Sequence, residues 1–308
     1  MRYSIKVAAE LTGLSPGTLR AWERRYGAVV PARDPSGRRS YGSDELTRLQ
    51  LLHKAVDQGH TIGKLVALSD SELRELIAES ISHATDPHPA AENLYNQLIA
   101  AVEDYDAIAC ERILGLAVAS LSPFDFVRDV LSRTLREVGE RWHKGEMTIA
   151  QERILSSCAR RLLLAIIQSQ FSHRGHALLL FGTLSGETHE LGSLSAAFLA
   201  GRQGLSVNYL GTDLPASEMS RIAVKSRAAA VGISVSINDE NKYQQVLELC
   251  EDLPAQTRLW VGGRAASAIT LRGLPANALP IRDLSEFEVR LQELRYPGLV
   301  KTVPIRGS

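Results

Sequence analysis

The stretch "GETHELGS", residues 186–193, sets one histidine, His189, between two carboxylates, Glu187 and Glu190. An imidazole nitrogen ligates metals or moves protons near neutral pH, and a carboxylate on the other ring nitrogen can orient and polarise it. Residue types alone leave three readings of His189: a metal ligand, a catalytic group or an ordinary loop residue. Ser234 and Ser236, in "SVS", offer hydroxyls to a polar edge, and Gly262-Gly263 offer backbone that a flat or bulky group can approach closely. A second constellation lies in "VGERWHKGEMTIAQERILSS", where Trp142 and His143 are adjacent and Glu152 and Arg153 follow ten residues after each. A planar aromatic, an imidazole and a carboxylate could line the lid of a pocket for a flat ligand. The same types also suit a core tryptophan beside a surface histidine. No nucleophile and base are placed together, because Cys110, Cys158 and Cys250 are far apart and fall on presumed helix faces. An enzyme is therefore not expected.

The elements that must position these groups follow from the pattern around them. From residue 174 onward, apolar strand-like runs alternate with helical ones: "ALLLFGTL", "GLSVNYLG", "AAAVGISVSI", "TRLWVGG" and "ANALPI", each followed by an amphipathic segment. Five βα units predict a parallel sheet wrapped by helices, with ligands at the carboxyl ends of the strands. His189, Ser234–Ser236 and Gly262-Gly263 all fall at such ends. Residues 91–172 are poor in glycine and carry apolar residues at helical spacing. Four helices are expected, over 91–103, 106–119, 123–144 and 149–171, forming a small up-and-down bundle. An antiparallel turn between the last two brings Trp142-His143 and Glu152-Arg153 to one end.

The first 75 residues read differently. In "SIKVAAELTGLSPGTLRAWERRYG", Val7, Ala8 and Leu11 form one apolar stripe and "TGLS" breaks it. Ser15 is a good N-cap with Pro16 at the first helical position, and Leu19 and Trp22 supply the buried face of a second helix. This is the helix-turn-helix pattern, with Thr18, Arg20, Glu23 and Arg24 free to face a major groove. In "DPSGRRSY", Arg38, Arg39 and Tyr41 make a turn suited to gripping phosphates. Leu46, Leu49 and Leu52 mark a further helix. The prolines of "HATDPHP" disfavour a long coiled coil, so residues 76–90 read as a linker.

Charge agrees with this division. Formal net charge is zero, yet residues 1–64 carry eleven Lys or Arg against six Asp or Glu, so the rest is equally acidic. A basic head on an acidic body is the electrostatic footprint of a nucleic-acid-binding domain joined to a differently employed one. Three scattered cysteines fit a reduced, cytoplasmic compartment. No apolar run approaches the roughly 20 residues that span a bilayer, and the start has no signal-peptide core.

Residues 1–75 resemble the DNA-binding domain of the MerR family, through "TGLSPGTLRAWERRYG", "GRRSY" and "LQLLHKAVDQGHTIGKL" in the family's order. The resemblance implies a winged helix-turn-helix that binds double-stranded, pseudo-palindromic operator DNA as a dimer. It puts the DNA contacts at Ser15, Thr18, Arg20, Arg24, Tyr26, Arg38, Arg39 and Tyr41. Residues 174–308 resemble the cobalamin-binding domain shared by methionine synthase and B12-dependent mutases, a flavodoxin-like, Rossmann-like fold. His189-Glu190-Leu191-Gly192 matches its His-x-x-Gly, Ser234 its serine about forty residues later, and Gly262-Gly263 its glycine pair. Glu187 replaces an aspartate, and "SVS" lacks the family's leucine.

The order of head, bundle (91–172) and sheet domain is similar to the CarH/LitR-type regulators, B12-dependent photoreceptors. That resemblance implies a repressor carrying adenosylcobalamin, with His189 as the lower cobalt ligand. The bundle motif Trp-x9-Glu-His would cover the upper face through Trp142 and Glu152, and His143 matches a residue that can take the upper cobalt position after light. It also implies a homo-oligomer, a tetramer or a dimer, that lets go of DNA on illumination. Arg153 stands where the motif has histidine. This leaves a light-independent sensor of cobalamin or another tetrapyrrole, or a cofactor-independent regulator, as the alternatives. A corrinoid carrier is a third.

Overall fold

The computed structural model describes residues 2–33, 37–57, 60–74, 76, 89–170, 177–270 and 272–295. Most of the linker expected at 76–90 lies outside the described residues, although its last two positions already belong to a helix. The chain divides into two compact units, an N-terminal one and one spanning Pro87–Arg295.

In the N-terminal unit, helix α1 (Ile5–Thr12) ends at Gly13 with φ 72°. Helix α2 (Pro16–Tyr26) starts where Ser15 Oγ accepts from the Thr18 amide at 3.0 Å, and it ends at Gly27 with φ 61°. Both ends thus follow from local chemistry: a hydroxyl cap, a proline at the first position and a left-handed glycine stop. Strands β1 (Tyr3–Ser4), β2 (Ala32–Arg33) and β3 (Arg39–Tyr41) form a small antiparallel sheet in the order β1-β3-β2, which is the wing. Helix α3 (Ser43–Asp57) and the short α4 (Ile62–Leu65) complete the unit. Ala8, Leu19, Trp22, Tyr41, Leu49 and Leu52 are buried together in its core. Leu11, expected in the first apolar stripe, is 38% exposed. Eight residues make barely two turns, so only part of the stripe reaches the core.

The second unit opens with a helical bundle: α5 (Pro89–Glu103), α6 (Ala107–Ser120), α7 (123–143) and α8 (Ile149–Gln170). Within α7, Phe126–Leu131 widens into a π-helix, which periodicity did not foretell. Five of its six residues are buried, including Asp129, whose carboxylate accepts from Arg128 Nε at 2.7 Å. A normal helix cannot turn that many consecutive residues inward, and the wider π turn helps to do so.

Next come five parallel strands: β4 (Leu178–Gly182), β5 (Ser206–Tyr209), β6 (Ala230–Ser234), β7 (Arg258–Gly262) and β8 (Ala278–Pro280). Their order, β5-β4-β6-β7-β8, is the 2-1-3-4-5 arrangement of a flavodoxin-like fold, the fold that the resemblance implied, and the strands are parallel as the alternation predicted. The connecting helices are α9 (Leu191–Arg202), α10 (Ala216–Ser226), α11 (Glu240–Asp252) and α12 (Ala266–Thr270), with α13 (Leu284–Arg295) after β8. The order reverses between β4 and β6, so the loops leaving these strands diverge and open a crevice at their carboxyl ends. One continuous apolar core joins the bundle to the α9 face of the sheet, with Phe126 packed edge-on against Phe198 at 5.8 Å.

Candidate functional site

His189 sits in the loop after β4, at this switch point. Its Nδ1 lies 2.6 Å from Glu187 Oε1, which also accepts the His189 amide at 3.0 Å. The other Glu187 oxygen accepts the Ser236 amide at 2.8 Å. Glu187 is 1% exposed, whereas the His189 side chain is 66% exposed. Burial raises the Glu187 pKa, but the His189 and Ser236 amides and the imidazole outweigh it and hold the carboxyl below its ordinary 4.5. An ionised carboxylate only accepts, so Nδ1 is the donor of this pair and Nε2 is left out of it. Of the two flanking carboxylates, then, Glu187 orients the ring. Glu190 turns away, to Arg160 and Tyr209.

The loop is braced from below. The Thr183 hydroxyl donates to the Glu187 carbonyl at 2.5 Å, Asp213 accepts the Gly186 amide at 2.7 Å, and the buried Lys242 ammonium donates to the Ser185 carbonyl. Thr183, Asp213 and Lys242 were not foreseen as site residues. Lys242 comes from α11, 57 positions after its partner, and no local pattern marks that contact.

The small residues divide into two kinds. A Cβ on Gly192 would lie 3.0 Å from Ser234 Oγ, so the start of α9 packs directly on the end of β6. Gly263 has φ +95°, and a Cβ there would collide with the Val235 carbonyl. This glycine is required by the chain's own turn. Gly262 meets nothing nearer than 3.7 Å and keeps its backbone approachable. Ser234 is buried, while Ser236 contributes its amide to Glu187 rather than only a hydroxyl to the crevice.

At one end of the bundle, Trp142 and His143 close α7. Their rings meet edge-on at 4.8 Å, and His143 Nδ1 lies 2.7 Å from the Gly139 carbonyl. Trp142 is 39% exposed, which excludes the core-tryptophan reading. Arg141 to Glu103 at 2.8 Å and Gln151 to the Glu103 carbonyl at 2.9 Å bring the start of α8 to the same end. Arg153 Nε lies 3.5 Å from Glu152, and its side chain is 72% exposed. Among the described residues, no three His, Cys, Asp or Glu side chains converge as a metal cage. A lone imidazole with a carboxylate behind it suits a metal whose equatorial ligands come with it, as in a corrin ring.

The cysteines belong to the core. Cys110, Cys158 and Cys250 are buried, and burial pushes the thiols of Cys110 and Cys250 up to about 11 and about 12. Such thiols are poor nucleophiles at neutral pH.

In the N-terminal unit, Ser15, Arg20, Arg24 and Tyr26 are exposed along α2 and Arg38 is exposed on the wing. Thr18 is half-buried, with its hydroxyl 2.8 Å from Ser15 Oγ. Of the other two expected phosphate contacts, one is engaged within the unit and one is corrected. Arg39 Nε binds Glu23 at 2.5 Å, tying the wing to α2. Tyr41 is wholly buried, so its phenol belongs to the core.

Comparisons with known proteins agree with this layout. Residues 3–72 match the MerR HTH family regulatory protein model, and residues 94–167 match a B12 binding domain model. The HTH-type transcriptional repressor CarH of Myxococcus xanthus is 34% identical over 86% of this chain and 89% of its own. CarA, an HTH-type transcriptional repressor of the same organism, is 27% identical over 86% of this chain and 88% of its own. The monomethylamine corrinoid protein of Methanosarcina barkeri shares the fold of the second unit, at TM-score 0.52 and 18% identity over 65% of this chain and 98% of that one. Among the described residues, no helix is long and apolar enough to cross a membrane. The chain belongs to the CarH family of HTH-type transcriptional repressors: a cobalamin-binding transcriptional regulator with a MerR-type DNA-binding head, and not an enzyme.

Proposed function

We propose that the chain represses transcription from operator DNA in the dark and senses light through adenosylcobalamin. The observation that carries the cofactor reading is the Glu187–His189 pair, a buried carboxylate 2.6 Å from Nδ1 that leaves Nε2 as the nitrogen that would hold the cobalt. Adenosylcobalamin, when bound, supplies a light-sensitive cobalt–carbon bond. Glu187 fixes the tautomer and tilt of His189, and Gly262 leaves backbone open to close approach. Trp142 and Glu152 would cover the upper face, and His143, beside Trp142, would be the imidazole available there. In the head, Ser15, Thr18, Arg20, Arg24, Tyr26 and Arg38 carry the DNA contact.

Ligand and assembly are linked. Whatever binds one assembly better stabilises it, and loss of the upper ligand removes that preference. A homo-oligomer, tetramer or dimer, pairs the heads on a pseudo-palindromic operator, and light releases them. Purified protein given adenosylcobalamin in the dark should acquire cobalamin absorbance and retard operator DNA, and green light should abolish the retardation. Protein that takes up no cobalamin contradicts the cofactor reading, and retardation indifferent to light contradicts the photochemical one.

A second reading is favoured by Arg153. This exposed cation stands where the family motif has histidine, and it suits a propionate of another tetrapyrrole or a sensor without photochemistry. Gel filtration in light and dark, with the pigment's spectrum, separates the two.

A further inference from the structure

Glu190 follows His189 directly and occupies the N-cap of α9, yet its side chain makes no cap bond to that helix. A carboxylate at a helix start ordinarily serves the free amides there. Here both oxygens serve other elements instead. Oε2 accepts from the Tyr209 hydroxyl at 2.6 Å, at the carboxyl end of β5. Oε1 accepts from Arg160 Nε, on the last helix of the bundle. The Glu190 side chain is 14% exposed, so solvent screens this junction less than it would a surface pair. Burial and the neighbouring carboxylate push the Tyr209 phenol far up, which keeps it a hydrogen-bond donor across the physiological range.

Arg160 shares helix α8 with Glu152 and Arg153. Eight residues separate Glu152 from Arg160, about 12 Å along a rigid helix. One end of that helix carries the groups of the upper face, and a point two turns on grips the residue beside the lower ligand.

We infer that Arg160, Glu190 and Tyr209 form a positioning cluster that sets the His189 loop against α8, so that one helix fixes the spacing between the two faces of the cofactor site. The inference rests on the cobalamin reading above. None of the three residues touches the cofactor in this role, and each acts through His189. A shift of α8 at its first turn therefore reaches the lower ligand mechanically.

The test uses the full chain with hydroxocobalamin and adenosylcobalamin as probes, comparing wild type with Arg160→Ala, Arg160→Lys, Glu190→Gln, Tyr209→Phe and the Arg160→Ala/Glu190→Gln double variant. Arg160 is half-exposed, so its removal leaves the fold intact. Arg160→Ala and Glu190→Gln should each weaken cobalamin binding about tenfold, as losses of outer-shell partners do. They should also blur the histidine-nitrogen splitting in the electron paramagnetic resonance spectrum of the cob(II)alamin form. The double variant should be no worse than the worse single one, because the two act as a unit. Tyr209→Phe should cost about threefold, and Arg160→Lys should restore most of the affinity. Wild-type affinity and splitting in both single variants overturn the cluster. So does a drop in melting temperature with the splitting unchanged, or a double variant whose losses simply add. Failure of the wild type itself to bind cobalamin is a different result and removes the reading beneath.

Discussion

The two faces of the proposed cofactor site are built to different standards. On the lower face, His189 is held by a carboxylate that is 1% exposed and accepts three hydrogen bonds, and the loop around it is pinned by Thr183, Asp213 and Lys242. On the upper face, Trp142 is 39% exposed and Arg153 is 72% exposed, with its neighbour Glu152 as ion partner. A ligand atom fixed by buried, satisfied partners is ready before anything binds, and little ordering entropy remains to be lost. An exposed lid can change its contacts at small cost to the fold. The pairing of a rigid lower face with a permissive upper one suits the proposed sensor: one side would retain the metal while the other would respond to it.

Breaking the lower face should have the largest effect. His189→Ala should lower cobalamin affinity by more than about a hundredfold, read by spectral titration, because it removes the ligand and not only its support. Glu187→Gln should come next, at about ten- to a hundredfold in affinity. An amide in place of the carboxylate also meets three donors with a single acceptor oxygen, which should destabilise the apo fold by about 1–3 kcal/mol. Glu187 also sets a pH dependence. Its folded pKa is depressed, so its contribution is complete above the ordinary value of 4.5 and is lost as pH falls through the lower folded value. Melting temperature should therefore fall across that acidic window in wild type and fall less in Glu187→Gln.

Trp142→Ala sharpens the contrast from the other face. It should leave apo stability within about 0.5 kcal/mol, because the ring is partly exposed, while altering the light response of bound adenosylcobalamin. A stability loss like that of Glu187→Gln would show the upper face to be equally built-in. The smallest effect is expected in the head, where a similar contrast runs between exposed and internally paired arginines. Arg24→Ala should reduce the salt slope of operator binding by about one, and Arg39→Ala should change it less, because its guanidinium is occupied by Glu23.

What was legible in the sequence was what depends on neighbours in the chain. Strand alternation foretold the five-stranded parallel sheet, and the spacing of Glu187 and His189, two residues apart, already allowed one carboxylate to reach both the ring and the amide. Contacts between distant segments were not legible. Arg160 and Glu190 meet across 30 positions, and Lys242 and Ser185 across 57. Side chains with two natures also misled. Tyr41 can present a hydroxyl to phosphate or a ring to the core, and the short β3 strand turns it inward. The turn at Gly263 was not legible, because a glycine required by φ +95° and one required by a guest look identical in sequence. The π segment at Phe126–Leu131 was hidden because helical periodicity records which residues are apolar, not how many in succession the core will accept.

The most direct measurement is the electron paramagnetic resonance spectrum of the cob(II)alamin-loaded full chain, grown with ordinary or with nitrogen-15 histidine. If His189 Nε2 is the lower ligand, the splitting should change from three lines to two with the labelled amino acid, and in His189→Ala it should no longer respond to the label. A wild-type pattern indifferent to the histidine label, or one that still follows the label in His189→Ala, would contradict ligation by this residue.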